Sequence, residues 1–218
     1  MNNPKAIIFD LDGTLIHSAP DLHAAANAML KALERSALEL PTIISFIGNG
    51  VERLVERCLD ATGEYDATLR QVAMKKFLAF YQQNMTTLTQ PYPGVVASLQ
   101  IFRDAGIPLG ICTNKPTQPA REICDRLELT QFFKVITGAE DGQLKKPEPA
   151  SLLACVSALD VLPSEALYVG DSEIDYLTAV NAAVSFRLFA NGYLNAPLPN
   201  LPALDRFEHW TNHGIPAP

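Results

Sequence analysis

Asp10 and Asp12 stand at the end of an apolar run, Ala6-Ile7-Ile8-Phe9, and are followed by Gly13 and Thr14. An apolar run without polar alternation suits a strand buried on both faces of a parallel sheet. Carboxylates just past the carboxyl end of such a strand lie in the crevice where open α/β sheets bind ligands. Two like charges two residues apart repel, so something must hold them together. A cation serves, and oxygen-only ligands suit magnesium. Gly13 permits a tight turn and close approach of backbone to a ligand. The plain alternative is that Asp and Gly merely open a loop, as they commonly do.

Three further apolar runs end in polar residues. Pro108 to Cys112 runs into Thr113-Asn114-Lys115-Pro116, where a hydroxyl and an amide can donate to phosphate oxygens, or Thr113 can cap a helix. Val135 to Thr137 leads through Gly138-Ala139-Glu140-Asp141-Gly142 to Lys145-Lys146-Pro147-Glu148-Pro149. Lys146, just before a proline, is restricted to extended geometry and can supply a point charge to a phosphoryl group and a neighbouring carboxylate. Pro149 can open a helix. Ala166 to Val169 ends in Gly170-Asp171-Ser172-Glu173-Ile174-Asp175. Asp175 falls one helical turn beyond Asp171, on the same face, and can also satisfy amides at a helix start. Taken in order, Asp/Asp, Thr, Lys and Asp/Asp supply what phosphoryl transfer needs: a nucleophile, a magnesium site, phosphate donors and a proton shuttle.

Behind these runs stands an α/β fold, a doubly wound Rossmann-like parallel sheet with helices between its strands. A fifth strand is expected around Phe186 to Phe189. The expected domains are a core, residues 1–15 and 92–218, and an inserted all-helical cap, residues 16–91, joined by hinge linkers. Three apolar stripes at helical spacing carry the insertion: Leu22 to Leu33, Val51 to Leu59, and Leu69, Val72, Ala73, Phe77, Phe80 and Tyr81. A further short helix is expected around Pro41 to Ile47. The linkers fall near Ile16 to Pro20 and at Gln90-Pro91-Tyr92-Pro93-Gly94. The tail from Leu194, with Pro197, Pro199 and Pro202, is expected to run over the surface.

These motifs resemble the haloacid dehalogenase-like superfamily, over Asp10 to Gly192. Its first motif is matched by Asp10, Asp12, Gly13 and Thr14, its second by Thr113, its third by Lys146 and its fourth by Asp171 and Asp175. Within it, the stretches from Thr14 to Leu22, Ile47 to Val51, Thr113 to Pro116 and Lys145 to Pro147 look like those of the bacterial phosphoglycolate phosphatases. The resemblance implies that Asp10 attacks phosphorus to form an aspartyl-phosphate and that Asp12 acts as general acid and then general base. It implies magnesium held by Asp10, the Asp12 carbonyl and Asp171, with Asp175 behind them. Thr113, Asn114, Lys146 and the backbone near Asp12 and Gly13 would bind the phosphoryl oxygens. Asp12 also sets the chain apart from the dehalogenases of this superfamily, whose halide leaving group needs no proton. The chain departs from its relatives at Ala183, where glycine is usual, and at His17, where many carry an acidic residue. His17 is given no chemistry.

Substrate choice is expected to lie in the cap. Asn49, between Gly48 and Gly50, can hydrogen-bond a carboxylate or hydroxyl, or simply serve a turn before a helix. Arg53 can pair with a substrate carboxylate or be solvated. The expected activity is a phosphomonoesterase acting on 2-phosphoglycolate. Rival readings are a phosphatase for a sugar phosphate or pyrophosphate, a phosphomutase, and a non-hydrolytic phospho-ligand binding module. A phosphonate-cleaving enzyme would need a cap lysine, and residues 21–74 hold only Lys31.

Composition bounds the partners. A net charge of -7 argues against nucleic acid, which needs a basic surface. A small phosphorylated metabolite remains compatible, since helix ends and a metal override net charge locally. Cys58, Cys112, Cys124 and Cys155 form no Cys-x-x-Cys pair, as suits free thiols in a reducing compartment. No apolar segment approaches membrane-spanning length, and the first residues lack the pattern of a signal peptide. A cytoplasmic protein is expected, with monomer and homodimer both open.

Overall fold

The computed structural model describes residues 3–140 and 144–216. Asp141 and Gly142, read from the sequence as part of a loop, lie outside these residues. The chain divides into two compact units, Met1–His17 with Pro91–Pro218, and Ser18–Gln90.

The first unit is built on β1 (Ala6–Phe9). All four side chains are fully buried, as an apolar run without alternation requires. Two short strands, β2 (Ile16–His17) and β3 (Gln90–Pro91), pair where the chain crosses between units. Five more strands follow: β4 (Leu109–Pro116), β5 (Val135–Ala139), β6 (Ala166–Gly170), β7 (Ser185–Phe189) and β8 (Arg206–Phe207). They form a six-stranded sheet with β1 in the order β5-β4-β1-β6-β7-β8, every pair parallel. The strand order reverses at β1, between β4 and β6, which makes the mouth between them the topological switch point where such sheets bind ligands.

Alternation along β1 serves both faces. Ala6 and Ile8 join a core formed with the helices Ala150–Ala158 and Glu173–Ala182. On the opposite face the Phe9 ring lies 6.3 Å from Phe102, on the helix Val95–Asp104, and 5.9 Å from Trp210. Each such fully buried large side chain contributes about 1.5–3 kcal/mol.

One expectation for this unit needs correction. The tail does not merely cover the surface. It adds β8 at the sheet edge and buries Leu198, Leu201, Phe207, Trp210 and Ile215. Its prolines punctuate the path, while the apolar residues between them supply the burial. At the linker near Ile16 to Pro20, Ile16–His17 is a strand and a helix begins at Ala19.

The second unit carries four helices: Ala19–Lys31, Leu40–Ile44, Val51–Asp60 and Ala67–Asn84. Asp21, 2% exposed, accepts hydrogen bonds from the Leu88 and Thr89 amides and the Thr89 hydroxyl, so the start of the unit is tied to its end. In the last helix the buried row is Ala73, Phe77 and Tyr81, at steps of four. Val72 and Phe80, expected in the core, lie one residue off that row and are exposed.

Candidate active site

Four strand ends of the first unit converge. Asp10 leaves β1 with its amide still donating to the Val169 carbonyl at 2.9 Å, so it stays on the ladder beside β6. Asp171 and Asp175 leave β6 and enter the following helix. Ser172 caps that helix, its hydroxyl accepting from the Asp175 amide. Asp10, Asp171 and Asp175 are all buried, and each can offer a carboxylate oxygen such that the three atoms lie within 4.8 Å of one another.

Lys146 reaches this cluster from the segment after β5. Its Nζ donates to Asp10 Oδ1 at 2.9 Å, to Asp175 Oδ1 at 2.6 Å, to the Tyr168 hydroxyl at 2.8 Å and to the Cys112 carbonyl at 3.3 Å. The main chain of Lys146 is clamped by Asn114, whose Oδ1 accepts from the Lys146 amide at 2.8 Å while its Nδ2 donates to the Lys146 carbonyl at 3.2 Å. The Asn114 side chain therefore serves to place Lys146. The peptide bond from Lys146 to Pro147 is cis.

Asp175 accepts from five donors: Lys146, the Tyr168 hydroxyl, the Asp171 and Ser172 amides and the Ser172 hydroxyl. It is an anchor for its neighbours, and its two oxygens are engaged. Asp171 is held differently. Thr14 Oγ1 donates to its Oδ1 at 2.6 Å and the Tyr193 amide to its Oδ2 at 2.6 Å. Two glycines make room for it. A Cβ on Gly13, whose φ is +91°, would sit 2.3 Å from Asp171 Oδ2, and one on Gly192 would sit 2.2 Å from Asp171 Cβ.

The electrostatics follow from burial around a single ammonium. Burial pushes the Asp10 carboxyl up to about 6, against the pull of Lys146. Burial, with Asp175 and Asp10 beside it, pushes Asp171 well above the carboxylate range. Burial acts on Asp175 too, but the Lys146 charge and the hydrogen bonds from Lys146, Ser172 and Tyr168 outweigh it and hold Asp175 low. Burial would lower Lys146, yet Asp10 and Asp175 raise it above its usual value. Three carboxylates with one ammonium leave a net negative, oxygen-lined site. That donor set fits a hard divalent cation, with Asp10 and Asp171 the carboxylates better placed to bind it directly.

At the end of β4 the register against β5 shifts between Cys112 and Pro116. Such an irregularity re-aims side chains, and Thr113, Asn114 and Lys115 lie within it. Thr113 is buried, and its Oγ1 accepts from the Lys115 amide at 3.3 Å, a bond that does not use its own O–H. Lys115 Nζ bridges both oxygens of Asp12, at 3.1 and 3.0 Å.

Lys115, Tyr168 and Tyr193 were not singled out from the sequence. For Tyr168 a signal was present, since a tyrosine inside a buried strand needs a partner for its hydroxyl. For Tyr193 there was none. His17 Nδ1 lies 3.0 Å from the Tyr193 hydroxyl.

Asn49 belongs to the other unit. Its Oδ1 accepts from Arg57 Nη2 at 3.0 Å, and Gly50 at φ +87° precedes the helix Val51–Asp60. Arg53 on that helix pairs with Glu56 at 3.0 Å.

Comparison with known proteins gives the chain a family. The family model described as haloacid dehalogenase-like hydrolase matches residues 7–189. A phosphoglycolate phosphatase of Cereibacter sphaeroides is 43% identical over 204 residues, covering 93% of each chain. A phosphoglycolate phosphatase of Rhodospirillum rubrum is 37% identical, over 97% of this chain and 90% of its own. Among solved structures, a predicted phosphoglycolate phosphatase from Haemophilus somnus 129pt superposes with a TM-score of 0.90 at 28% identity, covering 96% of both chains. The chain belongs to the haloacid dehalogenase-like hydrolases and is a phosphoric monoester hydrolase among them.

Proposed function

We propose that this hydrolase is a magnesium-dependent phosphatase that converts 2-phosphoglycolate to glycolate and phosphate through an aspartyl-phosphate on Asp10. The observation that carries this reading is the Asp10 carboxylate, buried at a strand end, flanked by Lys146 and Asp171, with Asp12 two residues on. An Asp10 oxygen attacks phosphorus and the bond to the ester oxygen breaks. Asp12 donates a proton to that oxygen as glycolate leaves. Water then attacks the aspartyl-phosphate, giving its proton to Asp12, and phosphate departs with Asp10 restored. Thr113 and Lys146 hold the phosphoryl oxygens, with the Gly13 amide and, through its clamp on Lys146, Asn114. Magnesium would be held by Asp10, Asp171 and the Asp12 carbonyl, with Asp175 behind them. Bound there, it neutralises charge on the phosphoryl group.

The names of the Cereibacter and Rhodospirillum relatives support the substrate. We assign residues 16–91 the role of the inserted cap domain, with Asn49 a contact in its substrate loop. Four free cysteines and the absence, among the described residues, of any helix long and apolar enough to cross a membrane support a cytoplasmic setting. The partner is a small phosphorylated metabolite, and the charge of -7 disfavours nucleic acid.

The test is phosphate release with magnesium across a panel of small organic phosphates, read as kcat/KM. A clear preference for 2-phosphoglycolate is expected. Turnover spread over sugar phosphates or pyrophosphate, with phosphoglycolate poor, overturns the named substrate. Asp10→Asn should fold and release no phosphate, and turnover in that variant removes the covalent mechanism.

A further inference from the structure

We propose that Lys115 is the specificity residue that binds the substrate's carboxylate, exchanging its resting partner Asp12 for the incoming anion. This rests on the phosphatase reading above and narrows its substrate class to phosphate monoesters that carry a carboxylate close to the ester oxygen.

The first support is elimination. Among the described residues the buried cations are Lys115, Lys146 and Arg187. Lys146, between Asp10 and Asp175, is assigned above to the phosphoryl oxygens. Arg187 donates to the main-chain carbonyls of His213 and Leu204, among the tail residues. Arg53 is half-exposed in the other unit and paired with Glu56. Lys115 remains, and its side chain is only 6% exposed beside an Asp12 that is 13% exposed. A lysine that is almost fully enclosed is rare unless an anion meets it. Here the irregular end of β4 turns it toward the carboxylate that handles the ester oxygen.

The second support is length. For Asp12 to protonate the ester oxygen, the two must lie within about 2.6–3.2 Å. Lys115 Nζ stands one hydrogen bond beyond Asp12. In 2-phosphoglycolate the carboxylate carbon is two bonds from the ester oxygen. A substrate engaged by Asp12 thus brings its carboxylate beside Lys115, where it takes the place of Asp12 on the ammonium. A longer phospho-acid would overshoot, and an uncharged alcohol would leave the ammonium on Asp12. The exchange conserves charge, one carboxylate replacing another on the same ammonium, and frees Asp12 to turn to the ester oxygen.

The experiment compares 2-phosphoglycolate with ethyl phosphate, which has the same carbon count and no carboxylate, on the magnesium-loaded enzyme. Wild type is expected to prefer phosphoglycolate. In Lys115→Met the ratio of the two kcat/KM values should fall by roughly 10- to 100-fold, the usual size of a lost charge-assisted hydrogen bond, with KM for phosphoglycolate rising. Lys115→Arg, which keeps the charge, should retain the preference. Equal losses on both substrates in Lys115→Met, with the ratio intact, overturn the proposal. A second measurement needs no variant: glycolate should inhibit wild-type hydrolysis of ethyl phosphate far better than ethanol does, and equal inhibition overturns the proposal. A wild type that hydrolyses ethyl phosphate without favouring phosphoglycolate refutes the role of Lys115 and leaves phosphatase chemistry standing. A wild type that releases phosphate from no ester refutes the phosphatase reading itself.

Discussion

Replacing Lys146 by methionine should destabilise the fold in a pH-dependent way. The ammonium touches Asp10 at 2.9 Å and Asp175 at 2.6 Å, with side chains 11%, 1% and, for Lys146 itself, 3% exposed. At an effective dielectric near 20, each contact has a gross Coulomb energy of about 6 kcal/mol. Much of that is offset by the cost of burying the lysine, and methionine keeps most of the packing volume. Breaking a buried pair from one side leaves a net loss of about 3–5 kcal/mol. At roughly 2–4 °C per kcal/mol, the melting temperature should fall by about 6–20 °C. The sign of the pH effect follows from the orphaned carboxylates. Without Lys146, Asp10 and Asp175 bind protons more tightly folded than unfolded, so the penalty is full at high pH and relieved as pH falls. Thermal melts followed by circular dichroism, with chelator, should show a wide gap between wild type and variant at pH 8 and a narrow one at pH 5. An equal gap at both pH values would refute the electrostatic argument, and a loss below about 2 °C would refute the estimate of burial.

Four more expectations concern other parts of the site and core. Tyr168→Phe removes a hydroxyl placed between Lys146, Asp175 and the Cys112 carbonyl and should cost about 1–3 kcal/mol of stability, with steady-state kinetics showing kcat lowered more than KM. In the metal-free protein, Asp10, held at about 6, and Asp171, also raised, favour protonation in the folded state, so their contribution to stability should rise as pH falls from 7 toward 4. Calorimetry at pH 7 should show magnesium at 100 times its Kd adding about 2.7 kcal/mol, with the increment shrinking at pH 5 and in Asp171→Asn. Ala183→Gly should stabilise by about 1 kcal/mol, because this exposed alanine closes its helix at φ +52°, and an unchanged denaturation midpoint would show that the left-handed turn carries no strain.

The carboxylate cluster of the candidate site was legible because it sits at strand ends, and strands buried on both faces announce themselves as unbroken apolar runs. Asp10, Thr113 and Asp171 follow such runs, while Lys146 stands beyond the half-buried edge strand β5. Lys115 was not legible because it lies in the irregular last residues of β4, past the apolar run, where alternation does not give a side chain's direction. Only the shifted register between Cys112 and Pro116 turns it toward Asp12. The tail misled for the opposite reason. Its prolines read as surface, and nothing in the sequence around Trp210 names its distant partners. Yet its indole donates to the Thr14 carbonyl at 3.1 Å and it packs on Phe9. Nothing local records contacts across almost two hundred residues. In the helical unit, Val72 and Phe80 show that an apolar residue one step off the buried row reads the same as one on it.

The place of β1 in the sheet has a consequence for synthesis. This strand emerges first, but its register partners, Leu109 to Ile111 and Ala166 to Val169, are at least one hundred residues downstream. At about 5–20 residues per second the ribosome needs roughly ten to thirty seconds to pass from β1 to the end of β6. Throughout that interval four unbroken apolar residues wait without a sheet, while the helical segment Ser18–Gln90, a compact unit of its own, is complete enough to fold. The nascent chain is therefore most exposed to aggregation at its own future centre. A chaperone that binds short apolar strands would find its earliest target at Ala6 to Phe9.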